Sequence, residues 1–250
     1  MALKYREDAD LEFMKDCDQE DLKTLTDILI YRKSGNKRLT QELAEERDFR
    51  NCNGDYKKVW DLIAGEMQKF GGDTFVNIVR RGYGIPYRDI LINVCKKMRV
   101  NFNKKSTTEK IEMNLLMKIV EVALDKMSDE EKRDLVKEMK LDVEQMTTQV
   151  IAAALQVAIR AGGFRAYQIA LITANAVSKA LLGRGITFAG NAALTRMMAL
   201  FAGPIGIAIN IVLAVPLISS PAYRVLIPAT IHIAYMRQKT LHGAEDAGTE

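Results

Sequence analysis

A chain of 250 residues is long enough for one large domain or two small ones. Hydrophobic residues make up 48% of it and charged residues 27%, which excludes general disorder and excludes a wholly membrane-embedded protein. The formal net charge of +4 is small, but residues 1–150 hold 29 Asp and Glu whereas residues 151–250 hold 3. The basic residues of residues 151–250 have few acidic residues near them in the sequence, and such a pattern favours binding to an anionic surface.

The cysteines and the first residues bear on the compartment. Cys17, Cys52 and Cys95 lie far apart, with neither the pattern of a disulfide framework nor the paired spacing of a zinc site. Residues 1–10 are charged and lack the apolar core of a signal peptide. We therefore expect the protein in the cytoplasm, or at the cytoplasmic face of the inner membrane.

Residues 1–145 show apolar side chains three and four positions apart, which is typical of short amphipathic helices. This spacing predicts a helix after Asp18, a second from Tyr56 to Phe70, and a third from Tyr87 to Arg99. No convincing alternation of apolar and polar residues indicates a strand. The predicted fold class is therefore all-α, a multi-helix soluble module followed by an apolar, glycine-rich helical module.

Two further helix starts carry capping signals. Ser106 stands three residues before Glu109, and Ser128 stands three residues before Glu131. In a capping box, the serine oxygen accepts from the backbone N–H three residues later while the glutamate bonds back to the serine N–H. Both pairs fit that pattern and predict helices that begin after Ser106 and after Ser128.

The pair Gly71 and Gly72 predicts the end of the helix that begins at Tyr56, because glycine readily adopts the positive φ of a helix terminus. A polar stretch follows: Asp73, Arg80, Arg81, Arg88 and Asp89. We interpret it as a structural cluster of salt bridges around a turn. The alternatives are an anion-binding site that contacts phosphates of nucleic acid or lipid, and an acid–base site, although we expect no nucleic-acid partner for the protein as a whole. No nucleophile and base accompany the cluster, so we expect no enzyme.

Near residue 146 the composition changes, since Ala, Gly, Ile and Leu replace Lys and Glu. We place a boundary there, between a soluble module of residues 1–145 and an apolar module of residues 146–242, with a tail at 243–250. The apolar run at 197–218 is long enough to cross a bilayer, which takes roughly 20 residues. Pro204 and Pro216 are expected to break or kink it, or Pro204 to begin a shorter helix.

Small residues recur every four positions in this run, at Ala202, Gly206, Asn210 and Ala214, with Gly203 beside them. Such a stripe lets a second helix approach closely, and the Asn210 amide can form a hydrogen bond across the contact. We expect these five residues to form a membrane or helix-packing face.

The histidines offer little chemistry. His232 and His242 have neither acidic residues nor cysteines near them in the sequence, so we expect no metal site and no cofactor.

Short segments of the chain resemble the YaaW family of uncharacterised bacterial proteins, and the likeness runs nearly end to end. This resemblance implies a bacterial helical protein described as similar to ubiquinol-cytochrome c chaperones, and it brings no established catalytic residues. The segments are Leu62-Ile63-Ala64-Gly65-Glu66, Phe70-Gly71-Gly72-Asp73, Tyr87-Arg88-Asp89-Ile90-Leu91, Gly203-Pro204-Ile205-Gly206, Ala222-Tyr223-Arg224-Val225 and Pro228-Ala229.

These observations favour a non-enzymatic, membrane-associating helical protein, latent or regulatory, whose soluble module shields the apolar one until a signal releases it. The alternative is a soluble chaperone-like assembly factor or protein-binding module, in which the apolar helices form an ordinary core or a client groove. The expected partner is an anionic membrane in the first case, and a protein or a second copy of the chain in the other.

Overall fold

The computed structural model describes residues 3–32, 34–38, 41–74, 84–161, 163–187, 192–214 and 222–242. This part of the chain folds into α-helices and three short 3-10 helices without a strand, which confirms the all-α class. The α-helices are α1 (Gln19–Ile30), α2 (Arg47–Asn51), α3 (Trp60–Thr74), α4 (Tyr87–Lys97), α5 (Thr108–Leu124), α6 (Asp129–Glu138), α7 (Thr148–Arg160), α8 (Phe164–Leu182), α9 (Ala192–Ala214) and α10 (Tyr223–His242).

Helix α10 lies at the centre of the fold. It packs against α1, α3, α4, α5 and α8, and from Val225 to Met236 every side chain is buried. Because this segment of α10 is largely apolar on all sides, it is stable in water only when other helices cover every side of it, and the five helices pack around it. Pro228 lies inside α10 without ending it, because the surrounding core stabilises the helix.

The remaining helices of the second half form a layer beside α10. Helix α8 packs along both α9 and α10, while α5 contacts α9 on one side and α7 on the other. The short, highly charged α6 lies against α9. This arrangement leaves one side of α9 facing outward, between α6 and α8.

One capping prediction is confirmed and the other is wrong by one residue. At α6, Ser128 Oγ accepts from Glu131 N–H at 3.2 Å and Glu131 Oε2 accepts from Ser128 N–H at 2.7 Å. At α5, the N-cap is Thr107, whose Oγ1 accepts from Lys110 N–H at 3.4 Å. Adjacent hydroxyl residues compete for one N-cap position, and sequence spacing does not rank them.

The prediction that Gly71 and Gly72 end a helix is wrong, because α3 continues through both to Thr74. Neither glycine has a positive φ. Gly71 instead permits close packing, since a Cβ there would lie 2.5 Å from Ile90 Cγ1. Gly71 is therefore required by the close packing of α4 against α3 at this point.

Pro204 neither breaks α9 nor begins it, since one helix runs from Ala192 to Ala214 with the proline inside. A proline within a helix removes one backbone hydrogen bond and costs about 3 kcal/mol. Burial of the core face of α9 against α5 and α8 offsets that cost. Pro216 lies outside the described residues.

The buried apolar residues on both sides of residue 146 belong to one continuous core. It includes Leu22 and Leu25 of α1 as well as Leu226 and Ile233 of α10. The division of the chain into modules at residue 146 stays a prediction, and the contacts of α10 define how to test it.

Candidate docking surface

Helix α9 has one face in the core and one face outside it. Phe201, Ile205 and Ala208 are fully buried, whereas Ile207 is 50% exposed and Ile211 is 42% exposed. Large aliphatic side chains on a soluble surface are unremarkable singly, but these two lie one helical turn apart. The outer face of α9 is therefore an apolar strip on the surface of the described structure.

The predicted small-residue stripe lies on this outer face. Ala202, Gly203, Gly206 and Asn210 line one open cleft of about 430 Å³, together with Ile207 and with Ala176, Lys179 and Ala180 of α8. A Cβ placed on Gly203 or Gly206 would meet no atom within 4 Å. The stripe was expected to receive a packed helix, and among the described residues it borders α8 but is not covered. Of Ala214 the structure describes only the backbone, in α9.

A second cleft of about 570 Å³ lies between α6 and α9 and shares Gly203 with the first. Its α6 side is formed by Glu131, Asp134, Lys137 and Glu138. Arg196 of α9 holds α6 in place, donating from Nε to Glu138 Oε1 at 2.9 Å and from Nη2 to Glu138 Oε2 at 3.3 Å. A bidentate pair of this kind fixes orientation as well as distance.

The two clefts meet at Gly203 on the outer face of α9, and we call them together the α9 trough. Its floor is Gly203, Gly206, Ile207 and Asn210, and its walls are α6 and α8. The helical period places the α6 contacts and the α8 contacts on opposite edges of the outer face. Charge differs between the walls, since the α6 wall carries three carboxylates and one cation, Lys137, whereas the α8 wall carries the cation Lys179.

The predicted polar cluster is only partly visible. Arg80 and Arg81 lie outside the described residues, and of Asp73 only the backbone is described, in α3. Arg88 donates to Thr108 Oγ1 at 2.8 Å and to two backbone carbonyl oxygens before α5, while Asp89 is exposed. Arg88 therefore ties α4 to the start of α5. The interpretation of the whole cluster stays a prediction.

Sequence reasoning missed the buried polar contacts of α10. Arg237 donates from Nε to Glu112 Oε2 at 2.8 Å, and Tyr87 donates from its hydroxyl to Glu112 Oε1 at 2.7 Å. Burial raises the pKa of Glu112, and the Arg237 guanidinium opposes that rise. The available signal was that a basic residue within an acid-free segment must find its carboxylate on a distant helix.

A second contact of the same kind joins α10 to α1. Lys239 Nζ lies 2.7 Å from a carboxylate oxygen of Asp18 and 2.7 Å from one of Asp21. His232 donates from Nε2 to the Asp21 carbonyl oxygen at 2.9 Å, and burial lowers the pKa of this imidazole. These contacts join α10 to α1, while Asp21 Oδ1 and His232 Nδ1 are buried without a hydrogen-bond partner among the described residues.

The described residues also bear on two other classes of site, a metal site and a membrane-spanning helix. No three His, Cys, Asp or Glu side chains in this part of the chain lie close enough together to hold a metal ion. One described helix segment, Leu194–Ile211 in α9, is long and apolar enough to cross a membrane, and 44% of it is buried inside the fold. A core helix of a soluble protein passes the same test, so the segment alone does not identify a membrane protein.

Comparison with known proteins places the chain. Residues 55–225 match the family model of the ubiquinol-cytochrome C chaperone, and residues 5–39 match a domain of unknown function, DUF3944. A UPF0174 protein of Helicobacter pylori strain J99 is 41% identical, over 98% of this chain and 96% of its own length. The UPF0174 protein YaaW of Escherichia coli K12 is 30% identical, over 95% of this chain and 97% of its own. No solved structure matches significantly. The end-to-end likeness shows that the chain belongs to the UPF0174 family of bacterial proteins.

Proposed function

We propose that this protein is a non-enzymatic, chaperone-like binding protein that holds an apolar helical segment of a client protein in the α9 trough. The observation that carries the proposal is the outer face of α9, where Ile207 and Ile211 are exposed beside Gly203 and Gly206. The match to the ubiquinol-cytochrome C chaperone model supports the same class of function.

The shape of the trough favours a helix as its occupant. The absence of side chains at Gly203 and Gly206 lets a second backbone approach closely, as in helix pairs with small residues at the contact. The flanking isoleucines supply apolar area, and the exposed Asn210 amide is available to a polar group of the client. An amphipathic or apolar helix laid in a groove is a common mode of recognition.

The charges of the walls set the orientation of the client. Asp134 on α6 faces one edge of the trough and Lys179 on α8 faces the other. A client helix with basic residues on one edge and an acidic residue on the other is complementary to both walls. A client helix can lie along α9 in two opposite directions. Charge complementarity discriminates between these directions more than it increases the affinity.

The free cysteines support a proposal for the compartment. The three cysteines are free thiols, and Cys17 and Cys95 are buried. Free thiols are typical of a reducing compartment. We propose the bacterial cytoplasm, or the cytoplasmic face of the inner membrane, as the compartment, where apolar segments of nascent proteins require protection.

A peptide experiment tests the proposal. The probe is a synthetic helix of about 20 residues with leucine and alanine, small residues every fourth position, and lysines on one edge. Full-length protein carrying a photo-reactive amino acid at position 207 should cross-link to this helix. The same group at Val157, which is 68% exposed on α7, serves as the matched control.

The outcomes separate cleanly. Cross-linking at position 207 and not at 157, abolished by Gly206→Leu, supports the trough as the binding surface, because a leucine there occupies the space needed by the client backbone. Equal cross-linking at both positions, or none at either, refutes it. Gly206→Leu adds a side chain where the fold has open space, so its melting temperature should match that of the wild type.

Membrane contact through α9 is the second candidate, favoured by the length and hydropathy of Leu194–Ile211 and by the absence of carboxylates around it in the sequence. The protein then adsorbs to anionic vesicles through Lys179 and the exposed isoleucines. Flotation with anionic and with neutral vesicles tests this. Binding to anionic vesicles that Lys179→Glu weakens favours the membrane, whereas absence of the protein from both vesicle types leaves the client-binding function alone.

A further inference from the structure

A separate cleft of about 520 Å³ lies on α5, α7 and the first turn of α8. Its floor is apolar and nearly buried, formed by Met113, Met117, Ile159 and Ala166. The volume is within the range of sites that enclose small molecules. Two of the four floor residues are methionines, whose flexible thioether side chains adapt to the shape of an apolar guest.

The mouth of this cleft is positively charged. Lys110 of α5 and Arg160 at the end of α7 are both exposed and both line it. Neither forms an ion pair with a carboxylate among the described residues. Ala166 lies in the first turn of α8, so the positive end of that helix dipole also borders the cleft.

One carboxylate, that of Glu109, lines the described part of this cleft, and it already accepts a hydrogen bond from α10. Gln238 of α10 is fully buried and donates from Nε2 to Glu109 Oε1 at 3.3 Å. Asn114 and Gln156 add amide groups to the rim. Two free cations and neutral amides therefore face solvent above an apolar floor, with one carboxylate held by a neighbouring helix.

We propose that this cleft binds an anionic amphiphile, with a carboxylate or phosphate head between Lys110 and Arg160 and an acyl chain along Met113, Met117 and Ile159. The cations supply charge-assisted hydrogen bonds to the head, and the floor removes the chain from water. A ligand that has only an anionic head, or only an acyl chain, contacts either the cations or the apolar floor but not both. Nothing in the client-binding function requires this cleft, so the two proposals stand or fall separately.

Calorimetry with four probes tests the chemistry on the full chain. The probes are decanoate, decyl phosphate, decyltrimethylammonium and inorganic phosphate. We expect both anionic amphiphiles to bind and the cationic amphiphile to bind at least about tenfold more weakly, since its head meets like charges. Inorganic phosphate should bind more weakly than decyl phosphate because it gains nothing from the floor.

Other patterns overturn the proposal. Equal binding of the cationic and anionic amphiphiles shows a purely apolar groove, and equal binding of inorganic phosphate and decyl phosphate shows a simple anion site. Absence of binding by all four probes removes the site altogether.

Charge-reversal variants locate the binding. Lys110→Glu and Arg160→Glu change exposed side chains, so neither should alter the melting temperature of the protein. Each should weaken binding of decyl phosphate by about tenfold, through loss of one charge-assisted contact and gain of a repulsion. Lys126→Glu is the matched control, because Lys126 is an exposed lysine just after α5 and outside the cleft. Equal weakening in all three variants shows general charge attraction and overturns the assignment of the cleft.

Discussion

At the scale of single residues, the buried Glu112 depends on its partner from α10. Removing one member of a buried ion pair leaves the other charge without compensation and typically costs about 3 to 5 kcal/mol. We expect Arg237→Met to lower the free energy of unfolding by roughly that amount, measured by urea denaturation. The Arg237 guanidinium also lies 4.3 Å from the centre of the Phe13 ring, so part of the loss is packing.

The matched control is the double variant Glu112→Gln with Arg237→Met. A neutral amide in place of the carboxylate removes the isolated buried charge, so the double variant should recover a large part of the lost stability. A double variant that is less stable than Arg237→Met alone contradicts this explanation and assigns the effect of Arg237 to packing.

Glu66 links stability to pH. Its side chain is 1% exposed and accepts from the backbone N–H groups of Glu42 and Leu43. Burial raises the pKa of Glu66 to about 7, despite these hydrogen bonds and nearby Lys69. Since the folded pKa exceeds the unfolded one, the folded chain binds more protons, and this contribution to stability falls as pH rises from about 4.5 through about 7.

The measurement compares wild type with Glu66→Gln across this pH range. The free energy of unfolding of the wild type should fall relative to the variant by up to roughly 3 kcal/mol, as the pKa difference dictates. The difference between the two proteins cancels other titrating groups such as Glu112 and His232, whose pKa values also depart from their usual range. Parallel curves for the two proteins exclude this role of Glu66.

At the scale of elements, adjacent glycines near the end of α3 provide a matched pair. A Cβ at Gly71 would lie 2.5 Å from Ile90 Cγ1, whereas a Cβ at Gly72 would lie 3.6 Å from Gly84 Cα, an ordinary contact. Alanine is favoured over glycine in a helix by about 1 kcal/mol. We therefore expect Gly72→Ala to be neutral or stabilising, and Gly71→Ala to destabilise by about 1 to 3 kcal/mol through overpacking.

Thermal unfolding of both variants checks this pair. Gly84→Ala provides a more severe reference, since a Cβ there would lie 2.1 Å from the backbone carbon of Gln68, which cannot rotate away. Equal melting temperatures for Gly71→Ala and Gly72→Ala contradict the proposed role of Gly71 in the contact between α3 and α4.

Local signals in the sequence predict the helices well and their junctions less well. The apolar spacing of α4 and the capping box of α6 depend on near neighbours, so both were predicted. The predictions that Gly71 ends a helix and that Pro204 breaks or begins one were wrong, because the helices that pack against these residues keep α3 and α9 continuous. The sequence around a glycine or proline does not show whether tertiary packing will override its low helix propensity. The spacing of small residues predicted which residues form the candidate stripe. It did not predict that the stripe is exposed, because spacing does not tell which face of α9 packs against the core.

At the scale of the whole molecule, α10 connects to both halves of the chain. Lys239 reaches Asp21 across 218 residues and Arg237 reaches Glu112 across 125 residues. A fragment of residues 1–145 lacks these cations and the core surface of α10, so we expect it to retain helical signal but to lose cooperative thermal unfolding.

Circular dichroism of the fragment and of full-length protein measures this directly. Adding a synthetic peptide of residues 222–242 should restore cooperativity to the fragment if α10 is the missing element. A fragment that unfolds cooperatively without the peptide supports an independent soluble module and a boundary near residue 146.

Helix α10 follows in sequence the helices that it covers, and this order has a consequence during protein synthesis. A ribosome adds about 5 to 20 residues per second, so the 218 residues from Asp21 to Lys239 occupy on the order of ten to forty seconds. During that interval α3, α4 and α5 follow α1 in turn, and the side of each helix that packs against α10 stays uncovered because α10 has not yet been synthesised. This protein therefore completes its core only after α10 has been synthesised, and until then it presents the same kind of unprotected apolar helix that it is proposed to bind.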